Sequence, residues 1–232
     1  MNMKQRRFFV IEGTDGSGKS EQFKRLIARL ELNGFKTSTV DFPRYKQPSA
    51  HFVESYLNGH YGTAMEVGPY KASLFYAVDR FAATLAMNNA LSRGEVLVAN
   101  RYVASNMGHQ GGKITDPEAR KLFFNWLYQI EYEILGIPKP DLNIVLHVPA
   151  EVAQKLVDAK DASAREYAGG KKRDLHEADL THLKQAEQVY LEITRLFPDY
   201  FQLVECVEGG KLLSIDQIHE KVWAIVSPVL GV

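Results

Sequence analysis

The sequence predicts an α/β fold: a P-loop three-layer sandwich with a five-stranded parallel sheet flanked by helices, plus a basic lid. Three observations point there. Short apolar runs alternate with segments of helical periodicity five times along the chain, the order that a parallel sheet with crossover helices requires. The first strand–helix junction carries the glycine-rich pattern G-x-x-x-x-G-K-S. The 232 residues, 45% hydrophobic and 24% charged, are enough to build a core without a disulfide or a structural metal.

The elements follow in order. Residues 8–11 (Phe-Phe-Val-Ile) form a continuous apolar run that stops at a glycine-rich turn, as a buried parallel strand does. From Lys19 the period becomes helical, with Phe23, Leu26, Ile27 and Leu30 on one side and Asn33-Gly34 as the stop. Residues 36–42 read as a second strand ended by Pro43. Residues 43–69, rich in Gly, Pro, His and Tyr, read as an irregular insertion over a site, with a brief helical patch around Phe52, Val53, Tyr56 and Leu57. Residues 70–91 read as a long helix with Leu74, Phe75, Val78, Phe81 and Leu85 on its apolar side. Phe75 is expected to point to the core.

A third buried-type strand spans 96–99. Asp116-Pro117 opens a helix, Asp as cap and Pro in the first turn, with Leu122, Phe123, Trp126, Leu127 and Ile130 as its stripe. Residues 142–148 are the fourth strand, and Pro149 starts the next helix. The pattern fails between Asp158 and Arg173, then resumes through Leu180, Leu183, Val189, Tyr190 and Ile193. A fifth strand over 201–207 and a helix capped by Ser214 complete the chain. With no internal repeat and no linker-like stretch, residues 1–232 read as one domain, with 43–69 as an insertion and 158–176 as a lid.

Composition excludes several classes of partner and place. Lys+Arg and Asp+Glu are equal at 28 each, so the basic surplus that duplex nucleic acid demands is missing. Cys206 is the only cysteine, which rules out an intrachain disulfide and a cysteine-rich zinc site. No stretch is long and apolar enough for a membrane span, and the four apolar residues after the basic start are too few for a signal peptide. A cytoplasmic location is expected.

The strongest single signal is Gly13-Thr14-Asp15-Gly16-Ser17-Gly18-Lys19-Ser20. Its glycines let backbone N–H groups turn inward around a phosphate, and the helix that follows points its positive end at the anion. Lys19 is placed to reach the β- and γ-phosphates, and the Ser20 hydroxyl to ligate Mg²⁺. The loop follows an apolar strand and opens an amphipathic helix, both of which the motif requires. Nucleotide binding leaves a small-molecule kinase, a GTP switch or a mechanical ATPase open. A guanine-reading Asn-Lys-x-Asp is absent from the sequence. The insertion and the basic break suit covers that exclude water from a γ-phosphate.

The chain resembles the thymidylate kinases, which move a phosphoryl group from ATP to dTMP. The resemblance runs in order through Phe9-Val10-Ile11-Glu12-Gly13-Thr14-Asp15, Phe42-Pro43-Arg44-Tyr45, Tyr76-Ala77-Val78-Asp79-Arg80 and Arg101-Tyr102-Val103-Ala104-Ser105-Asn106. It continues through Pro138-Lys139-Pro140-Asp141 and Arg173-Asp174-Leu175-His176-Glu177. It implies ATP as co-substrate, Mg²⁺ held at Ser20 and Asp15, and a homodimer. It also implies Arg44 near the acceptor phosphate and the transferring group, and Arg101 as the clamp on the dTMP phosphate. A guanidinium fork suits both tasks. Tyr76 is implied to stack on thymine, Arg80 to contact the base edge, Phe42 and Pro43 to wall the base pocket, and Asn106 to make a polar contact to the base. Asp15 is implied at the sugar 3′-hydroxyl, and His109 and Gln110 beside the sugar. Gly16 follows Asp15 where some relatives carry a basic residue, so the resemblance assigns the catalytic cation to the lid, as Arg165 or Arg173, between which the sequence does not choose.

Two positions depart from the family pattern. Asn100 stands before Arg101-Tyr102 where the family has Asp, so Asp15 or Glu12 is expected to take over the ordering of Mg²⁺ waters, and Asn100→Asp to keep or raise activity. His147 ends the fourth strand where many relatives have Asp. The rival readings are a P-loop kinase for another nucleotide or deoxynucleoside, and a nucleotide-binding regulatory protein that has lost transfer activity.

Overall fold

The computed structural model describes residues 7–158 and 180–232. Strands β1 (Phe8–Gly13), β2 (Thr37–Asp41), β3 (Val96–Asn100), β4 (Leu142–His147) and β5 (Phe201–Glu205) form one sheet in the order β2-β3-β1-β4-β5. All four pairings are parallel. Side chains of β1 alternate between two cores. Phe9 and Ile11 pack with Leu26 and Leu30 of helix α1 (Lys19–Leu32) and with Ile218, Val222 and Val226 of the C-terminal helix. Phe8 and Val10 face the other side, against Ala83, Met87, Tyr102 and Ile137. Five strands and helices on both faces match the expected class.

The remaining helices are α2 (His51–Leu57), α3 (Ala64–Ser92), α4 (Val103–Gly111), α5 (Pro117–Tyr128), α6 (150–158), α7 (Leu180–Leu196) and α8 (Ile215–Leu230). Asp116 caps α5 by accepting from the Ala119 amide at 2.9 Å, and Ser214 caps α8 in a reciprocal box with Gln217. Both caps were legible in sequence. Helix α4 and a short hairpin, β6 (Val207–Glu208) with β7 (Lys211–Leu212), were not. Helix α5 continues into a π-helical segment, Gln129–Ile134, also unforeseen.

The insertion is more regular than its composition suggests. It holds a 3₁₀ turn (Pro48–Ala50), α2 and the first turn of α3, which starts at a Thr63–Glu66 capping box. The expected break at Pro69 is a kink within α3, where Gly68 leaves helical geometry at φ 74°.

The apolar side of α3 is turned the other way from the core. Leu74, Val78, Phe81 and Leu85 are 40%, 44%, 51% and 75% exposed, while Ser73, Ala77, Asp79, Arg80, Ala83 and Met87 are buried. Phe75 is only partly buried, against the insertion aromatics Phe52, Tyr56 and Tyr61. On α5 the stripe is shifted too, since Leu122 is 66% exposed and Phe124 lies inside.

The sheet is tied to the surrounding helices by one buried carboxylate. Glu12 lies fully buried at the end of β1. It accepts from the Tyr102 amide (2.6 Å), the Ser105 amide (3.2 Å), the Ser105 hydroxyl (2.7 Å) and the Tyr190 hydroxyl (3.0 Å). Helix α7 comes so close to α4 that a Cβ on Gly108 would lie 2.6 Å from the Tyr190 ring. Glu12→Gln would set an amide NH₂ among these donors. We expect it to cost on the order of 3 kcal/mol of stability, read from urea unfolding.

Candidate active site

Parallel α/β sheets bind ligands beyond the carboxyl ends of their strands, where neighbouring connections diverge. Here β1 lies between β3 and β4, and two clefts open at that edge. The glycine-rich loop between β1 and α1 borders the larger one, about 590 Å³, with Asp15, Gly16, Ser17, Gly18, Lys19 and Ser20 on its wall. Gly13, at φ +140°, begins the loop where a Cβ would stand 2.6 Å from the Leu146 carbonyl oxygen. Lys19 is buried and donates to the Thr14 carbonyl at 2.7 Å. Burial and the nearby Arg101 bring its ammonium down to about 7, a charge that a phosphate in the loop would restore. The Thr14 and Ser17 hydroxyls are buried without hydrogen-bond partners, so the loop holds spare donors for anionic oxygens.

The second cleft, about 270 Å³, is lined by β2, the turn after it, α3 and α4. Of the ten residues expected at the acceptor, nine line it: Asp15, Phe42, Pro43, Tyr76, Arg80, Arg101, Asn106, His109 and Gln110. Arg44 is the exception. Its backbone amide and Nε bind the buried Asp79 carboxylate at 2.7 and 3.1 Å, and its Nη2 reaches Ser49 and the Asp79 carbonyl. A carboxylate 1% exposed needs a cation, and Asp79 takes this one. Tyr45 lines the cleft instead. The lid cations Arg165 and Arg173 lie outside the described residues.

Arg101 and Asp15 border both clefts and are paired with each other. Arg101 holds φ +64°, a left-handed conformation that costs a non-glycine residue about 1–3 kcal/mol and that turns up at functional sites. Burial opposes ionisation of Asp15, but Arg101 and Lys19 outweigh it and hold the carboxyl well below its ordinary range. On its far side Arg101 meets His109 Nε2 at 3.1 Å, and His109 Nδ1 lies 3.2 Å from His182 Nε2 on α7. Burial and Arg101 push His109 well below its usual value, so its imidazole is neutral. Lys113 donates to Gln110 Oε1 at 2.7 Å, which leaves the amide nitrogen as the free end of that side chain.

Arg80 is held by a residue that no sequence pattern singles out. Its Nε and Nη2 each donate to Glu131 at 2.6 Å, and its Nη1 reaches the Tyr102 carbonyl at 3.3 Å. One N–H on each terminal nitrogen remains for a ligand. Glu131, fully buried on the π-helical segment, also accepts from Asn106 Nδ2 at 3.3 Å. Asp41, the last residue of β2, lines the same cleft and was likewise missed. Glu12 cannot take over an ordering role at a metal, because both its oxygens are committed to α4 and α7.

The arrangement can hold an anionic donor in the loop and a second anion in the neighbouring cleft, with Arg101 and Asp15 at the boundary. Comparison with known proteins agrees. A family model described as thymidylate kinase matches residues 11–214. The thymidylate kinase of Mycobacterium tuberculosis is 30% identical over 185 residues, covering 79% of this chain and 84% of its own. That of Deinococcus radiodurans is 28% identical over 227 residues, covering 97% and 98%. Among solved structures, thymidylate kinase from Candida albicans superimposes with a TM-score of 0.70 at 23% identity, over 97% of this chain and 92% of that one; this last likeness is one of fold.

The Arg80–Glu131 pair offers a direct test of what anchors the cleft. Arg80→Met strands a buried carboxylate, so we expect a loss of about 3–5 kcal/mol in chemical denaturation, most of it recovered in Arg80→Met/Glu131→Leu.

Proposed function

The chain belongs to the thymidylate kinase family, and on that premise we propose that it transfers the γ-phosphoryl group of ATP to dTMP, yielding ADP and dTDP for DNA precursor supply. The observation that carries this reading is the pair of clefts that meet at Arg101 and Asp15. A P-loop next to a second anion site is what transfer between two nucleotides needs, since its catalysis is mainly positioning and charge neutralisation.

The residues then divide the work. The loop from Gly13 to Ser20 holds the ATP phosphates with backbone amides, and Lys19 neutralises the β- and γ-groups. Arg101 binds the acceptor phosphate and keeps it in line, so that an acceptor oxygen attacks the γ-phosphorus while the bond to the β-phosphate oxygen breaks. Asp15 fixes Arg101 and faces the sugar. Tyr76 stacks on the base between Phe42, Pro43 and Arg80, with Asn106 as the polar contact, and His109 with Gln110 lies along the sugar. Arg44 positions the turn that carries Pro43 by holding Asp79. Arg165 or Arg173 brings a further cation from the lid.

Mg²⁺ fits this site as a nucleotide-bound ion. Among the described residues no cluster of three His, Cys, Asp or Glu side chains could hold a metal alone. A P-loop hydroxyl, Ser20, stands at the donor cleft with Asp15 close by, a donor set suited to an ion that keeps most of its ligands as phosphate oxygens and water. When bound, Mg²⁺ neutralises phosphate charge.

The same reading places the whole chain, 1–232, in one kinase domain, with 43–69 on the acceptor side and 158–176 as the lid. It also places the protein in the cytoplasm. Among the described residues no helix is long and apolar enough to cross a membrane. A homodimer is supported by the outward face of α3, where Leu74, Val78, Phe81 and Leu85 recur at spacings of four, three and four. That is a seam of the kind that a second helix covers.

Two experiments test the proposal. Purified protein with ATP should phosphorylate dTMP faster than dUMP, dCMP, UMP or thymidine, and Lys19→Ala should lower that rate by about a thousandfold or more with an unchanged melting temperature; equal rates on all acceptors would refute the choice of substrate. In sedimentation velocity the wild type should run as a dimer and Phe81→Glu as a folded monomer.

A further inference from the structure

At the ends of β2 and β3, Asp41 and Asn100 stand side by side in register. Asn100 Nδ2 donates to Asp41 Oδ1 at 2.9 Å, and Asn100 Oδ1 is buried without a partner. Asp41 lines the acceptor cleft, Asn100 the donor cleft, so the pair forms part of the wall between them. Three carboxylates gather at this edge. Glu12 is saturated by four donors. Asp15 is bound to Arg101 and lies 3.8 Å from Lys19. Asp41 has the Asn100 amide as its hydrogen-bond donor and is otherwise exposed, within electrostatic reach of both Arg101 and Lys19.

A P-loop enzyme holds its metal between the loop hydroxyl and an aspartate at a strand end. Here β3, the strand beside the loop strand, ends in an amide. An amide carries no charge to oppose a cation, yet it can hold a neighbouring carboxylate in place. We infer that Asp41 supplies, from β2, the negative charge that orders the water shell of the Mg²⁺ bound with ATP, and that Asn100 orients it: the carboxylate has moved over by one strand. Asp41 is thus a positioning residue, acting on the metal through water.

The exchange also reverses the expectation for Asn100→Asp. Alone, that change sets a second carboxylate against Asp41 Oδ1, across the 2.9 Å now spanned by a hydrogen bond. It removes the donor that holds Asp41 and is unfavourable.

The inference rests on the kinase reading, and its test separates the two. ATP affinity is measured by titration calorimetry with excess Mg²⁺ and again with EDTA, on wild type, Asp41→Asn and Asp41→Asn/Asn100→Asp, each shown to be folded by its melting temperature. Asp41→Asn keeps a hydrogen bond to Asn100 and loses only the charge. Its gain in ATP affinity from Mg²⁺ should fall about tenfold or more, its affinity in EDTA should stay at the wild-type level, and the double variant should recover the gain to within about threefold. A full Mg²⁺ gain in Asp41→Asn, an equal loss with and without the metal, or a double variant as low as the single one would each overturn it. Failure of the wild type to phosphorylate dTMP would refute the kinase reading and leave these binding results standing.

Discussion

Everything at this site hangs on the Glu12 carboxylate. It is buried at the end of the central strand, and a charge there is tolerable only because four donors converge on it. Two of those donors are backbone amides at the start of α4, and one is a hydroxyl on α7. The same strand runs into the phosphate loop. Glu12 therefore sets the position of the helix that carries Asn106, His109 and Gln110 relative to the loop that holds the donor. A shift in this contact would move the acceptor against the donor, and near-attack geometry is lost over distances of about 1 Å. The left-handed turn at Arg101 follows from the same tether, since the chain must pass from the end of β3 to the Tyr102 amide that Glu12 holds.

Charge is assembled here in balanced groups. Arg101 has Asp15, Arg80 has Glu131, and Arg44 has Asp79. Each pairing meets a desolvation cost that an unpaired cation near the cleft floor would not survive. Each also fixes a guanidinium fork in one orientation, so little rotamer entropy remains to be lost on meeting a nucleotide. Lys19 is the under-compensated member. Its lowered value marks a place where positive charge is held at a cost that bound phosphate would relieve.

The layered fold, the phosphate loop and most of the acceptor cleft were legible because each depends on local pattern. Apolar runs report strands, glycine spacing reports the loop, and a spacing of four put Tyr76 and Arg80 on one face of α3. What stayed hidden depends on register and on partners distant in sequence. Nothing in residues 129–134 announces that Glu131 underpins Arg80, 51 positions away. Asp41 and Asn100 become neighbours only once β2 is paired with β3. Helix α4 was missed because its sequence is short and rich in glycine and polar residues, and tertiary contacts rather than propensity hold it. Arg44 is absent from the cleft wall for a related reason: a buried Asp79 on α3 holds it.

The outward apolar stripe of α3 follows from what its other face must do. An apolar stripe ordinarily faces the core, but this helix must present Tyr76 and Arg80 inward to line a polar cleft, with Asp79 buried and paired to Arg44. Small residues such as Ser73 and Ala77 let it approach closely on that side. The large apolar residues are left on the outside, at a spacing that suits another helix. The two faces interleave along the same turns, with Tyr76 and Arg80 between Leu74, Val78, Phe81 and Leu85. A rigid rod shared in this way cannot be displaced on one face without moving the other. Covering the outer stripe, as a second copy would in the proposed dimer, would therefore brace the same helix that lines the cleft with Tyr76 and Arg80.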